Sequence, residues 1–267
     1  MPTYIINLRI GEISLLVEDN NSSFISSLKK KYKNFLAERS LGVDTKMFIS
    51  HKKFSYSKEE VSLENKHNLF YLQGEGFEGV FDKRRNVVEV TMDYHETIFD
   101  TFLRVFYSLI LVLNKGVLVH SLGVIKDYKG YLFIGPSSSG KTTMAKKVKN
   151  ALILSDELVI VRRLENSFFL FSTPFGGELQ REIRYSFAPL NKMFFLDRSI
   201  DGYRKEKGIN ALAMFLRNIF FFLKDKEYVE NVIDFSRDLV YKFSPVRVNI
   251  LSNCEVINGF VQSENIS

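Results

Sequence analysis

The sequence predicts an α/β fold: a mixed α+β sheet core carrying a phosphate-binding loop, preceded by a small N-terminal β-rich region. Three observations lead there. The apolar run Tyr131 to Ile134 passes into Gly135-Pro136-Ser137-Ser138-Ser139-Gly140-Lys141-Thr142, which fits G-x-x-x-x-G-K-[ST] at every fixed position. Short apolar runs broken by turn residues recur through the first 95 positions. A long apolar stretch at about 97–114 has helical spacing and separates the two regions. Residues 1–95 are therefore expected to form one α+β region and 96–267 the loop-bearing domain.

The elements follow in chain order. Tyr4–Ile10 and Ile13–Val17 flank Gly11-Glu12 and predict an opening hairpin. Ser22 and Ser23 are expected to cap a helix over about 24–37, with Phe24, Leu28, Tyr32, Phe35 and Leu36 on its apolar face. Residues 40–66 are polar and expected to be loop-rich. Leu69–Gln73, Phe77–Asp82 and Val87–Met92 predict a meander with turns at 74–76 and 83–86. After the helix at 97–114 the pattern is strand (Val117–Lys126), a four-residue turn (127–130), and strand (Tyr131–Ile134). The loop should open a helix over about 141–149. Ala151–Leu154 and Leu158–Arg162 are expected strands, the first beside the loop strand. A helix near 208–223 and a strand at Val246–Leu251 complete the core.

The loop's spacing has a chemical reason. Gly135 and Gly140 let the backbone curl so that successive N–H groups face a phosphate chain. Gly135, Pro136, Ser137, Ser138, Ser139, Gly140, Lys141, Thr142 and Thr143 are thus the expected nucleotide-binding residues. Lys141 is placed to reach the β- and γ-phosphates, and the Thr142 hydroxyl can complete a Mg²⁺ shell, so ATP and Mg²⁺ are the expected cofactors. Asp156-Glu157 ends an apolar run only 15 residues beyond Lys141, where a carboxylate can act on the metal or the acceptor. Transport and motor ATPases place their acid much farther from the loop, and this chain has no Leu-Ser-Gly-Gly-Gln stretch.

His120 ends the strand that pairs with the loop strand, which puts it beside the loop's base or one step beyond. In 172–178, Pro174 and the adjacent Gly176-Gly177 permit a close backbone approach, with Glu178 at the mouth of the turn. His51, His67 and His95 lie in polar or junction segments and receive no role.

Composition narrows the function classes. The net charge of +6 comes largely from scattered Lys, and the densest cluster, Lys29 to Lys33, falls on a helix face expected to be solvated. Neither a nucleic acid nor a membrane is expected as a partner. The single Cys254 leaves no internal disulfide or Cys-based metal site, as in a reducing cytoplasm. The 25 Phe and absence of Trp point to aromatic core filling. Met1 to Ile10 lacks the basic start and long apolar run of a secretory signal, and 99–113 is too short and too charged to span a bilayer. A cytoplasmic location is expected.

The string VLVHSLGVIKDYKGYLFIGPSSSGKTT, with LILSDELVIV and STPFGGE after it, resembles the catalytic domain of the HPr kinase/phosphorylase family. It is most similar to the shorter HPr-kinase-related proteins often encoded with peptide-maturation machinery. That resemblance covers about 100–200 well and implies a core like the nucleotide site of phosphoenolpyruvate carboxykinase. It implies catalytic roles for His120, Lys141 and Asp156, with Asp156 the base toward an acceptor hydroxyl. It implies metal ligation by Thr142, Glu157 and Glu178. Three positions depart from the family pattern: Glu157 stands for a second Asp, Thr143 for a Glu, and Gly176-Gly177-Glu178-Leu179-Gln180 for Glu-Ile-Arg-Gly-Leu-Gly. The departures argue against dephosphorylation and against HPr as acceptor. Arg217 is the candidate for a late catalytic arginine.

The expected function is an ATP-dependent kinase acting on a hydroxyl, a Ser of a peptide or protein, in peptide natural-product maturation. The acceptor is the expected partner, residues 1–95 either help to choose it or serve only as packing, and homo-oligomerisation is left open. The other function class is an ATP-binding regulatory or scaffold module of a biosynthetic cluster, with little turnover. Transfer of the γ-phosphoryl group to an added acceptor distinguishes the two.

Overall fold

Gly11 and Glu12 both adopt positive φ, 62° and 60°. That conformation makes the two-residue turn folding β1 (Tyr4–Ile10) onto β2 (Ile13–Asp19). The computed structural model describes residues 2–38, 42–55, 60–136, 139–148, 150–177 and 182–249. The chain divides into two units, Met1–Ile110 with Phe221–Val229, and Leu111–Phe220 with Glu230–Ser267. Two mixed sheets and five helices make it α/β among the described residues.

In the first unit, Asn21 rather than Ser22 or Ser23 caps α1 (Ser22–Lys31), its side chain accepting from the Phe24 amide at 3.1 Å. The helix ends six residues before the expected position and a 3₁₀ turn, Lys33–Phe35, follows. The segment 40–66, expected to be loop, holds β3 (Thr45–His51) and β4 (Ser62–Lys66). In β3 only Met47 and Ile49 supply apolar inward positions, between exposed Lys46, Phe48 and Ser50. The apolar signal is therefore weak, and parallel pairing with two neighbours fixes the strand. Those neighbours are β2 and β7 (Val87–Met92). With β5 (Leu69–Gly74) and β6 (Phe77–Asp82), the sheet order is β1-β2-β3-β7-β6-β5-β4. The meander β5-β6-β7 agrees with the sequence reading.

The helix α2 (Glu96–Leu113) lays an aromatic ridge on this sheet. Phe102 meets Phe77, and Phe106 meets Phe81, each edge-on with centroids 5.4 Å apart. All four rings are buried. Phe106→Ala should cost about 3–5 kcal/mol in urea unfolding, because the ring is fully buried and packed on Phe81 and Phe102. A cost below about 1 kcal/mol would show that the ridge repacks. The returning segment 221–229 belongs to the same unit. Asn65 donates to Asp225 at 2.9 Å, Lys83 to the Tyr228 hydroxyl at 3.3 Å, and Phe70 packs on the Tyr228 ring.

The second unit begins with β8 (Gly116–Lys126) and β9 (Lys129–Ile134). Their turn has two residues rather than four, Asp127 and Tyr128, both at positive φ. After α3 (Lys141–Lys147) come β10 (Leu152–Ser155), β11 (Leu158–Leu164), β12 (Ser167–Phe171) and β13 (Phe187–Leu196). Then follow β14 (Tyr203–Lys205), α4 (Gly208–Leu216), α5 (Lys226–Phe243) and β15 (Val246–Val248). The long β8 serves three partners: its first half pairs with β11 and its second with both β9 and β10. Because β9 also pairs with β13, the path β8-β11-β12-β13-β9 closes on itself.

Two expectations are corrected here. The acid-bearing strand β10 pairs with β8 rather than with the loop strand β9, because β9's other edge is taken by β13 in parallel. The helix expected over 208–223 stops at Leu216. The Asn218 side chain donates to the Met214 carbonyl at 2.8 Å and ends it. The freed backbone at 218–220 then pairs with β8, His120 N donating to Asn218 O at 2.7 Å. The helix α5 was not anticipated, although within this unit Val232, Phe235 and Leu239 are buried at helical spacing. Among the described residues no helix is long and apolar enough to cross a membrane.

Candidate functional site

The strand β9 delivers the loop. Phe133 stacks on Phe194 of β13 at 4.9 Å, and Leu122, Val124, Met144, Ala145, Leu196 and Val248 complete a buried cluster under it. Met144 and Ala145 belong to α3, so this cluster fixes the strand before the loop and the helix after it. At Gly135 an added Cβ would lie 2.6 Å from Ser139 Oγ and 3.0 Å from the Leu196 carbonyl, so a larger residue cannot enter the bend. Gly140 holds φ 106°, a conformation that favours glycine, and leads directly into Lys141. Ser137 and Ser138 lie outside the described residues.

Lys141 is buried, and its Nζ donates to the carbonyls of Gly135 at 2.6 Å and Pro136 at 3.0 Å. The Ser139 side-chain oxygen is buried with no hydrogen-bond partner among the described residues. A buried hydroxyl in that state costs free energy unless a ligand satisfies it, so the loop's chemistry fits a bound anion.

The acids stand opposite. Ser155 organises the turn after β10, its Oγ accepting from the amides of Glu157 and Leu158 at 3.2 and 3.1 Å and donating to the Phe175 carbonyl. That turn holds the buried Asp156, whose Oδ1 accepts from the Gly177 amide at 3.2 Å. A Cβ on Gly177 would lie 2.8 Å from both Asp156 carboxylate oxygens, so glycine is required for this approach. Thr173 donates to the Leu158 carbonyl at 2.6 Å and fastens the segment bearing Gly177.

A cavity of about 660 Å³ gathers His120, Gly140, Lys141, Thr142, Thr143, Asp156 and Glu157 with Gly176, Gly177 and Arg198. Gly135, Pro136 and Ser139 line a second cavity of about 1090 Å³, which His120 and Arg198 also border. Glu178 lies outside the described residues, as does Cys254. Among the described residues, no group of three or more His, Cys, Asp or Glu is placed to hold a metal. A divalent ion here would need phosphate oxygens in its shell, the usual habit of Mg²⁺. His120 pairs across from Leu158, one residue before Ser121, which pairs with Ile134. Burial first, and then the Lys141 charge, lower its pKa below the usual 6.5, so it is neutral at pH 7.

Arg217 is exposed at the end of α4 and lines the larger cavity but not the one that holds Asp156 and Lys141. The sequence reading missed Arg198. Its one signal is the Asp-Arg-Ser turn directly after an apolar strand. In that turn Asp197 accepts from both the amide and hydroxyl of Ser199 at 2.7 Å and pairs with Arg247. These contacts, led by the Ser199 hydroxyl, hold the Asp197 carboxyl at about 2 against an ordinary 3.8. A depressed carboxyl stabilises the fold fully above its unfolded pKa and loses that contribution as pH falls through its folded value. Asp197→Asn should therefore flatten the acid-unfolding curve between about pH 4 and pH 2. An unchanged acid limb would show that Asp197 titrates alike in both states.

No protein-family model matches the sequence, and a search of the curated proteins finds no relative. Among solved structures, the Hpr(Ser) kinase/phosphatase from Coxiella burnetii is similar at 14% identity, over 47% of this chain and 97% of that chain, with a TM-score of 0.26. That is a distant likeness of fold alone.

Proposed function

We propose that this protein is an ATP-dependent kinase that transfers the γ-phosphoryl group to a hydroxyl, a Ser of a peptide or protein. The observation that carries this reading is the single cavity holding Lys141, Thr142, Asp156, Glu157 and His120 at the end of a G-x-x-x-x-G-K-T loop. Phosphoryl transfer needs positioning and charge neutralisation more than covalent chemistry, and this inventory supplies both. Lys141 would leave its two carbonyls for the β- and γ-phosphates, and Ser139 Oγ would donate to the same chain. Asp156, steered by the Gly177 amide, would take the acceptor's proton as oxygen attacks phosphorus. Neutral His120 would offer a hydrogen bond to phosphate without adding charge. Thr142, Glu157 and Glu178 would hold Mg²⁺, which supplies neutralisation of the phosphate oxygens. The rest of the nucleotide would extend into the larger cavity.

The alternative, an ATP-binding module that regulates or scaffolds, shares the loop but gives no role to the Asp156–Gly177 contact. The test is incubation of the full chain with Mg²⁺ and γ-labelled ATP, alone and with peptides encoded beside it. Label on a peptide hydroxyl supports the kinase. Tight ATP binding without transfer to any acceptor leaves the module reading, and absence of ATP binding removes both.

A further inference from the structure

We propose that the open face of the first unit's sheet docks a basic segment of the acceptor peptide, with apolar residues between its lysines or arginines; giving that segment to the acceptor rests on the kinase reading above. The strand register carries the proposal. Glu18 pairs with Phe48, Phe48 with Glu89, Glu89 with Val80, Val80 with Tyr71, and Tyr71 with Glu64. Six neighbouring strands thus line up acid, apolar, acid, apolar, apolar, acid in one row across the sheet. The in-strand neighbours Val17, Met47, Val88, Phe81, Leu72 and Leu63 are all buried on the other face, the one that carries α2.

A cavity of about 500 Å³ sits on this row, with Glu89 and Val80 between Phe48 and Tyr71. Phe48 keeps 39% of its surface exposed, and Glu89 is exposed beside it. The strands β3 and β5 that carry the two rings stand three strand spacings apart, about 14 Å. That width takes one chain segment, extended or helical. The six strands span about 24 Å, which seven or eight extended residues cover.

Charge decides the occupant. On a chain of net charge +6, this face gathers Glu18, Glu64, Glu89 and, one row over, Glu78. Lys66 pairs with Glu64 at 3.2 Å and Lys52 with Glu78 at 3.1 Å, both exposed pairs that water screens. Lys46 stands one row away, level with Val87, and Asp82 accepts from the amides of its own turn. Glu18 and Glu89 make no ion pair among the described residues. A carboxylate between an aromatic ring and a valine suits a lysine or arginine, whose stem lies along Val80 while its head meets Glu89. The same acids repel a nucleic acid or an anionic membrane. The phosphate loop and Asp156 belong to the second unit, so docking on this face adds affinity without touching the reacting atoms. Such binding lowers KM and leaves kcat as it is.

The probes are two fluorescein-labelled peptides of about ten residues, long enough to cross the row. Each carries one Ser; in one, lysines alternate with valines, and in the other glutamates take the place of the lysines. Anisotropy with the full chain reads binding, and γ-labelled ATP with Mg²⁺ reads transfer to the Ser. Wild type should bind the lysine peptide about tenfold or more tightly than the glutamate one. Glu89→Lys and Phe48→Ser, both at exposed positions, should each weaken it by about 5- to 30-fold with the melting temperature kept. Asp234→Lys, the same reversal on α5, should leave it unchanged. In transfer, KM for the lysine peptide should rise by the factor seen in binding while kcat holds. Equal binding of the two peptides, or binding that both face substitutions leave alone, overturns the docking site. Self-association without peptide that Glu89→Lys abolishes makes a second copy the occupant and overturns it too. Face-dependent binding with transfer indifferent to both substitutions overturns the assignment to the acceptor. Face-dependent binding with no transfer to any Ser removes the kinase reading and leaves the docking site standing.

Discussion

Lys141→Ala should weaken ATP binding by roughly 30- to 5,000-fold while leaving the fold intact. The side chain is buried at the loop with its ammonium against two loop carbonyls, so it can turn to a phosphate chain without crossing solvent. Removing one partner of a desolvated charge pair costs about 2–5 kcal/mol, a loss of roughly 30- to 5,000-fold in affinity. The alanine leaves Met144 and Ala145 in their apolar cluster, so circular dichroism and the melting temperature should change little. Titration with a fluorescent ATP analogue provides the measurement. If Lys141→Ala binds as the parent does, the loop is not the nucleotide site.

Asp156→Asn should act on turnover and spare affinity. The substitution keeps the shape that fits beside Gly177 but removes the basicity, so transfer should fall by about 10²- to 10⁴-fold with ATP binding near the parent value. Single-turnover transfer measured beside equilibrium binding separates the two effects. Equal losses in both would make Asp156 a metal ligand and pass the base to Glu157 or Glu178. Whether the first unit helps to choose the acceptor can be tested directly. Surface substitutions on the open face of its sheet, at Tyr71 or Glu89, test that better than deleting 1–95, which would strip Asp225 and Tyr228 of their partners.

The site was more legible in sequence than the fold around it. The loop's fixed residues and the acid 15 positions later depend on local spacing, and local spacing is what a sequence displays. The strands β5, β6 and β7 were legible for the same reason, since alternation and turn residues mark each one. Pairing over long separations left no such trace. Nothing in 187–196 says that β13 will run parallel to β9 and so take the edge expected for β10. Strand β3 carried too few apolar residues to be read, because its neighbours rather than its composition hold it. Arg198 escaped because its place, bordering two cavities, is encoded by no motif.

The return of 221–229 to the first unit has a consequence for biosynthesis. A ribosome finishes Ile110 and must add 110 residues before Phe221, which at ordinary elongation rates takes about 5–20 s. During that interval the nascent N-terminal half has its sheet but lacks Asp225 and Tyr228 to cover Asn65, Lys83 and Phe70. Arrested nascent chains ending before residue 221 should be cut by protease within 60–85, and chains extended past 229 and clear of the exit tunnel should resist. Equal resistance in both would mean that the early half matures alone. Synthesis of this protein is thus expected to hold its N-terminal sheet unfinished until residues 221–229 have left the exit tunnel.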